Sequence, residues 1–235
     1  MIRAVLFDLY DTLVYVDREA YVSKIATCAK LVGASEEAFD RAWFGTSPES
    51  NLGRYLTIEE RVNAVVRSLG CDRSEDIVST VADIERRFLS RDIHVFPDAF
   101  DALLALRGSG AKLGIVTNAS PSVEYIFKAT SLRQSVDAVV ISSEIKHAKP
   151  SREIYEQALE RLEVAANSAC FVGDGNDREI DGARAIGMLT ILVRRKRPRH
   201  GVRESSREET ADIIVSSLAE VARIVKHRDF SRPNG

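Results

Sequence analysis

The stretch AVLFDLYDTLVY, Ala4–Tyr15, decides the fold. Four apolar residues suited to β-structure run into an acid, Asp8, with Tyr10, Asp11 and Thr12 crowded behind it. A short segment that is apolar at every position reads as a strand covered on both faces, as in a parallel sheet. Open sheets of that kind bind ligands beyond the carboxyl ends of their strands, which is where Asp8 falls.

Five more runs of this type follow: LGIV (Leu113–Val116), AVVI (Ala138–Ile141), CFV (Cys170–Val172), LTILV (Leu189–Val193) and DIIV (Asp212–Val215). Helical spacing of apolar residues occupies Asp98–Arg107, Ser151–Leu162 and Ser216–Lys226 between or after them. The alternation predicts an α/β fold, a doubly wound parallel sheet. One region breaks it. From Val16 to Ile93 no strand pattern stands out, and helical spacing runs over Glu19–Val32, Glu36–Trp43, Ile58–Leu69 and Ser74–Phe88, punctuated by Gly33, Gly45, Gly53 and Gly70. Residues 1–15 and 94–235 therefore read as the α/β core, and 16–93 as an all-helical domain inserted after the first strand. An insertion there sits over the strand ends, where its natural role is a lid.

Composition narrows the function. The 33 basic and 35 acidic residues nearly cancel, which argues against nucleic-acid binding by the chain as a whole. No apolar stretch approaches the roughly 20 residues that span a bilayer. MIRAVLFD lacks the long apolar region of a signal peptide, and Cys28, Cys71 and Cys170 are widely spaced, so a cytoplasmic protein with unpaired thiols is expected. The dense basic run RRKRPRH, Arg194–His200, follows a strand. It reads as a solvated loop or as an attractor of anions near the cleft mouth.

Four signals fall just after buried strands: Asp8, Thr117-Asn118 in GIVTNASP, Lys149 in HAKPSREIY, and Asp174 in FVGDGNDREIDGARAIGM. Each alone has a plain explanation as a cap, a surface lysine or a turn. Together, in a parallel sheet, they converge on one edge. The combination resembles the haloacid dehalogenase-like (HAD) hydrolase superfamily, in the branch with a helical cap inserted after the first motif. The likeness runs from the opening strand to ADIIVSSLAEV, Ala211–Val221. It implies a Rossmann-like core with Asp8 as nucleophile and Thr117 and Asn118 holding the substrate anion. It further implies Lys149 as the cation between nucleophile and substrate, and Mg²⁺ at Asp8, Tyr10, Asp174 and Glu179. Members of the family commonly place the second acid of the metal site five residues after the first, and here that residue is Glu179, with Asp177 as the fallback. Asp181 is expected to cap or to face solvent.

These roles make chemical sense. A carboxylate nucleophile splits one hard displacement into two easier ones. It approaches a phosphate dianion only when the like charges are screened, hence a lysine and a cation. Mg²⁺ prefers oxygen ligands, so a few carboxylates suffice. A hydroxyl and an amide supply neutral donors to phosphate oxygens.

One position departs from the phosphatase pattern. Where phosphatases of the superfamily carry D-x-D-x-T, with the second acid protonating the leaving alcohol, this chain has DLYDT. If the chain stays extended, Asp8 and Tyr10 share one face and Asp11 the other. A missing general acid costs about 10²–10⁴ in rate, and a tyrosine with pKa about 10 is a poor base for water at neutral pH. The 2-haloacid dehalogenases of the superfamily carry D-x-Y, an anion motif similar to Thr117–Pro121, and a tyrosine matching Tyr155. Against that reading stands the acid pair Asp174 and Glu179, which without a cation would repel a haloacid's own carboxylate. Within the insertion, Arg18, Lys24, Arg41, Trp43, Arg54 and Tyr55 are candidates to meet substrate, Arg54 first among them because it sits in a loop-like stretch. The sum is a Mg²⁺-dependent hydrolase of a small phosphorylated metabolite, working through an aspartyl-phosphate. The alternatives are a 2-haloacid dehalogenase, or a weakly catalytic member that binds a ligand or partner. Substrate identity and the choice between monomer and homodimer stay open.

Overall fold

The computed structural model describes residues 1–71, 74–195 and 211–227. Strand β1 (Ala4–Phe7) is followed by β2 (Val14–Val16) and five helices, α1 (Arg18–Val32), α2 (Glu36–Gly45), α3 (Ser47–Asn51), α4 (Ile58–Leu69) and α5 (Glu75–Arg91). The chain then runs through β3 (Ile93–Val95), α6 (Ala99–Gly108), β4 (Lys112–Thr117), α7 (Glu124–Thr130), β5 (Ala138–Ile141), α8 (Ser142–Ile145) and α9 (Arg152–Leu162). It continues with β6 (Ala169–Gly173), α10 (Glu179–Ala185), β7 (Leu189–Val193), β8 (Ile213–Val215) and α11 (Leu218–His227). Six strands form one sheet in the order β5-β4-β1-β6-β7-β8, every neighbouring pair parallel. This is the α/β fold that the apolar runs predict. No helix among the described residues is long and apolar enough to cross a membrane.

Alternation along β1 divides the core in two. Val5 and Phe7 join one apolar cluster, and Ala4 and Leu6 join another that includes Ile154, Tyr155 and Leu159 of α9. Both faces are buried, which is why the strand is apolar throughout. Register sets the functional edge. Phe7 lies level with Ile115 of β4 and Val172 of β6, so Asp8, Thr117 and Asp174 leave three adjacent strands within one residue of a common level.

The helices α1–α5 carry recognisable local signals. Asp17 Oδ1 accepts the Ala20 N–H at the start of α1, the Thr57 side chain accepts from Glu60 N–H at the start of α4, and Gly33 and Gly70 close these helices in the left-handed conformation. Their buried faces are continuous with the Val5–Phe7 cluster. One feature was not expected from the sequence. Val14, Tyr15 and Val16 pair antiparallel with Val95, His94 and Ile93, so a two-stranded ribbon brackets the helical segment. Three residues per strand are too few to show a period.

Two further expectations change. The chain does not stay extended through DLYDT: Asp11 adopts φ 56°, and Leu13 and Val14 N–H both donate to Leu9 C=O, so a turn has begun by Asp11. Arg195 is not a solvated loop residue. It donates to Thr12 C=O at 3.0 Å, pairs with Asp98 at 3.0 Å and stacks 3.6 Å from the Phe96 ring centre. The remainder of the basic run, residues 196–200, lies outside the described residues.

Helix α10 packs closely on the segment that follows Lys149. A Cβ on Gly182 would stand 2.6 Å from Pro150 O and 2.8 Å from the Tyr155 hydroxyl. Alanine normally helps a helix by up to about 1 kcal/mol relative to glycine. Here overpacking reverses the sign, and Gly182→Ala is expected to destabilise by about 1–3 kcal/mol, read as a lowered urea midpoint at unchanged slope.

Candidate active site

Four buried charged side chains meet at the sheet edge. Asp8 follows β1, Asp174 follows β6, Glu179 opens α10, and Lys149 comes from the segment between α8 and α9. All are at most 5% exposed. Lys149 Nζ stands 2.5 Å from Asp8 Oδ1 and 2.5 Å from Glu179 Oε2. Glu179 is held from three further directions: its Oε1 accepts Gly175 N–H at 3.0 Å, its backbone carbonyl accepts the Tyr155 hydroxyl at 2.8 Å, and Gly173, lacking a side chain, leaves room for its carboxylate. Asp174 accepts from Asn176 N–H at 3.1 Å and from Asn176 Nδ2 at 2.6 Å.

Among the described residues, three carboxyl groups and one ammonium gather in this buried space. Ionised groups out of water are costly unless matched. Burial pushes the Asp8 carboxyl above its usual range although Lys149 pulls the other way. Burial, with the charge of Asp8 added, raises Glu179 well above the usual carboxylate range. Burial alone would lower Lys149, but the charges of Asp8 and Glu179 outweigh it and hold the ammonium protonated. Asp8, Asp174 and Glu179 each offer an oxygen within 4.8 Å of the others. An all-oxygen set of carboxylate donors suits a hard divalent cation, whose opposite ligands lie about 4 Å apart in the case of Mg²⁺. Asp177 is exposed and outside this set, and Asp181 pairs with Arg178 at the surface.

The Thr117-Asn118 pair divides its labour. Thr117 is fully buried and its hydroxyl has no hydrogen-bond partner among the described residues. Asn118 addresses Lys149 itself: its Oδ1 accepts Lys149 N–H at 2.7 Å, and its Nδ2 donates to Lys149 C=O at 3.1 Å and to Asp177 at 2.8 Å. The following residue, Ala119, donates its N–H to Ser142 Oγ at 3.0 Å, and that hydroxyl in turn donates to Asn51 C=O of α3 at 2.6 Å. The anion loop is thereby linked to the helical segment.

A cavity of about 560 Å³ opens from Asp8 toward α1–α5. Tyr10 and Asp11 both line it, as the turn at Asp11 requires. The Tyr10 hydroxyl has no hydrogen-bond partner among the described residues, and burial, followed by the charge of Glu85, raises its pKa. Of the candidates in the insertion, Lys24 and Trp43 line the cavity. Arg54 does not: its side chain is 66% exposed and pairs with Glu49, which also accepts the Tyr55 hydroxyl. Arg41 pairs with Glu37 on an exposed helix face, and Arg18 is not among the lining residues. Sequence reasoning missed Arg61 and Glu85, both in the wall. A signal existed. Arg61 occupies the apolar stripe Ile58, Val62, Val65, Val66, and Glu85 the stripe Val78, Val81, Ala82, Phe88, Leu89, where a charge is out of pattern.

Comparisons with known proteins find relatives over most of the chain. A family model described as haloacid dehalogenase-like hydrolase matches residues 2–187. The chain is 32% identical over 207 residues to a glyceraldehyde 3-phosphate phosphatase of Methanopyrus kandleri, covering 83% of this chain and 85% of that one. It is 27% identical over 203 residues to (S)-2-haloacid dehalogenase 1 of a Pseudomonas species, covering 83% and 85%. Among solved structures, a HAD phosphatase from Thermococcus onnurineus superposes with TM-score 0.67 at 23% identity, over 95% of this chain and 98% of that one. An L-2-haloacid dehalogenase from Xanthobacter autotrophicus superposes with TM-score 0.67 at 22% identity, over 97% and 99%. At these identities the superpositions speak for the fold.

The raised carboxyls make stability depend on pH with a definite sign. Asp8 and Glu179 hold their protons to higher pH when folded than when unfolded, so their contribution is complete below the unfolded carboxyl range and is lost as pH rises through the folded values. With chelator present, thermal unfolding is expected to show the parent losing ground relative to Glu179→Gln as pH is raised from 4 to 8. Added Mg²⁺ is expected to narrow that gap at pH 8.

Proposed function

The chain belongs to the haloacid dehalogenase-like hydrolases, and within them we propose a Mg²⁺-dependent phosphohydrolase acting on a small phosphorylated metabolite. The observation that carries this reading is the buried cluster of three carboxyl groups, Asp8, Asp174 and Glu179, whose oxygens lie within 4.8 Å of one another beside Lys149. A site built to displace halide from a carboxylate-bearing substrate gains nothing from such a cluster. The phosphatase relative from Methanopyrus kandleri is consistent with it. Asp8, Asp174 and Glu179 would hold Mg²⁺, which would supply the positive charge that lets a phosphate dianion approach a carboxylate.

The residues of the chain then do the following. Lys149 holds Asp8 Oδ1 and so fixes the plane of the nucleophile. Asp8 attacks phosphorus, a bond forms between its carboxylate oxygen and phosphorus, and the bond from phosphorus to the leaving oxygen breaks. The unpartnered Thr117 hydroxyl donates to a phosphoryl oxygen, while Asn118 acts through Lys149, whose backbone it clamps. Water then attacks the aspartyl-phosphate at phosphorus, releasing inorganic phosphate and the free carboxylate. The helical segment over the cavity acts as a cap that limits bulk water.

Tyr10 sets the choice of leaving group. With its pKa raised it is a reluctant acid and no base for water at neutral pH. Leaving groups that depart without a proton, such as aryl or acyl oxygens, suit the site better than alkoxides. The same residue favours a second reading, hydrolytic dehalogenation, in which Asp8 displaces halide from carbon and water hydrolyses the ester.

Phosphate release from an aryl and an alkyl phosphate tests both. The aryl ester is expected to turn over with Mg²⁺ and to stop with chelator or in Asp8→Asn. Tyr10→Asp is expected to raise the alkyl rate by about 10²-fold or more, as a restored general acid does. Halide released from a 2-haloacid without metal, and no phosphate from either ester, would move the assignment to dehalogenation.

A further inference from the structure

Among the described residues four cations line the cavity, and three are already matched to carboxylates. Lys149 is held by Asp8 and Glu179, Lys24 by Glu85 at 2.8 Å, and Arg178 by Asp181 at 3.3 Å. Arg61 is the exception among the described residues. Its Nε donates to Thr46 Oγ1 at 3.0 Å, and its Nη2 donates to Trp43 C=O and to Ser47 Oγ, each at 3.0 Å. All three acceptors are neutral. The guanidinium also stacks 4.1 Å from the centre of the Trp43 ring. One edge and one face of the group are thus fixed by protein, while Nη1 has no hydrogen-bond partner and no carboxylate forms an ion pair with the group among the described residues; the charge of Glu85 reaches it, but that carboxylate is already paired with Lys24.

The surroundings make that charge useful rather than incidental. Tyr10, which lines the same cavity, feels the charges of both Asp8 and Arg61, so the guanidinium and the nucleophile bear on one space. Lys24 is no rival for an anion, because Glu85 already neutralises it and the rings of Tyr21, Trp43 and Phe88 surround it. Much of the remaining wall on that side, Val16, Phe44, Leu89 and Ile93, is apolar. A guanidinium held in place before the ligand arrives gives up little conformational freedom on binding.

We infer that Arg61 is a specificity-determining residue of this cavity, receiving on Nη1 a second anionic group, carboxylate or phosphate, of the substrate whose reacting phosphoryl group lies at Asp8. This rests on the phosphohydrolase reading. A charge-assisted hydrogen bond from a pre-placed arginine separates ligands with and without that group, whereas a neutral ligand body leaves the cation unanswered.

Trp43 is the sole tryptophan of the chain and lies against Arg61, so its emission reports on ligand there. The experiment titrates the Asp8→Asn protein with Mg²⁺, following Trp43 emission and heat of binding together. Two pairs of ligands are compared: glycerol 3-phosphate with 3-phosphoglycerate, and fructose 6-phosphate with fructose 1,6-bisphosphate. In at least one pair the ligand with the second anion is expected to bind about tenfold more tightly or better, as such a hydrogen bond gives. The pair that shows it tells carboxylate from phosphate. Adding Arg61→Met is expected to shrink the preference to within about twofold, and Arg61→Lys to reduce it in part. Arg61→Lys decides the matter if Arg61→Met does not fold. Equal affinity within both pairs, or a preference untouched by either Arg61 substitution, overturns the inference and leaves the phosphohydrolase reading standing. Failure of all four ligands to bind by either readout overturns that reading and the inference with it.

Discussion

The site depends on one buried ammonium. Lys149 lies between Asp8 and Glu179, 2.5 Å from each, and is itself clamped through its backbone by Asn118. Breaking such a buried pair by removing one partner costs about 3–5 kcal/mol, because the remaining charge is left without its match. Much of the neighbouring structure serves to keep the three charges together. Tyr155 holds the backbone of Glu179, Gly173 leaves room for its carboxylate, and Gly182 lets α10 approach the Lys149 segment. The fold brings these groups to one edge, and local packing keeps the lysine from leaving it.

The same economy of charge separates the two halves of the cavity. Among the described lining residues, carboxylates outnumber cations on the sheet side, and Lys24 and Arg61 outnumber Glu85 on the helical side. In the function proposed above, a divalent cation would answer the first imbalance and a second substrate anion the second. Neither imbalance is large in a count of the whole chain, where 33 basic residues face 35 acidic ones. Net charge argued against partners of one broad class and was silent about the site, because the site depends on where individual charges are buried.

Legibility varied by residue for physical reasons. Asp8, Thr117 and Asp174 could be placed because each ends an apolar run, and a parallel sheet has only one functional edge. Glu179 was implied by the family resemblance, in which a second acid commonly stands five residues after the first, with Asp177 as the fallback. Arg54 was favoured because it lies in a loop, yet it pairs with Glu49 at the surface. Arg61 and Lys24 carried a better signal than loop position, since both interrupt the buried stripe of an otherwise amphipathic helix. The ribbon of β2 and β3 left no trace, because pairing between distant three-residue segments is a long-range contact with no local period.

Periodicity and strand-end chemistry, both local properties, were enough to establish the α/β sheet, the helical stretch after its first strand and the charged and polar residues gathered at the carboxyl edge of the sheet. Three things were decided only by tertiary structure. The chain turns at Asp11 and so brings both Tyr10 and Asp11 into the cavity wall. Asn118 spends its amide on Lys149. Arg61, unlike its neighbours, makes no ion pair with a carboxylate among the described residues. Each of these depends on which groups from remote segments arrive within hydrogen-bonding reach, and burial then makes the match or mismatch of charge count, since water no longer screens it.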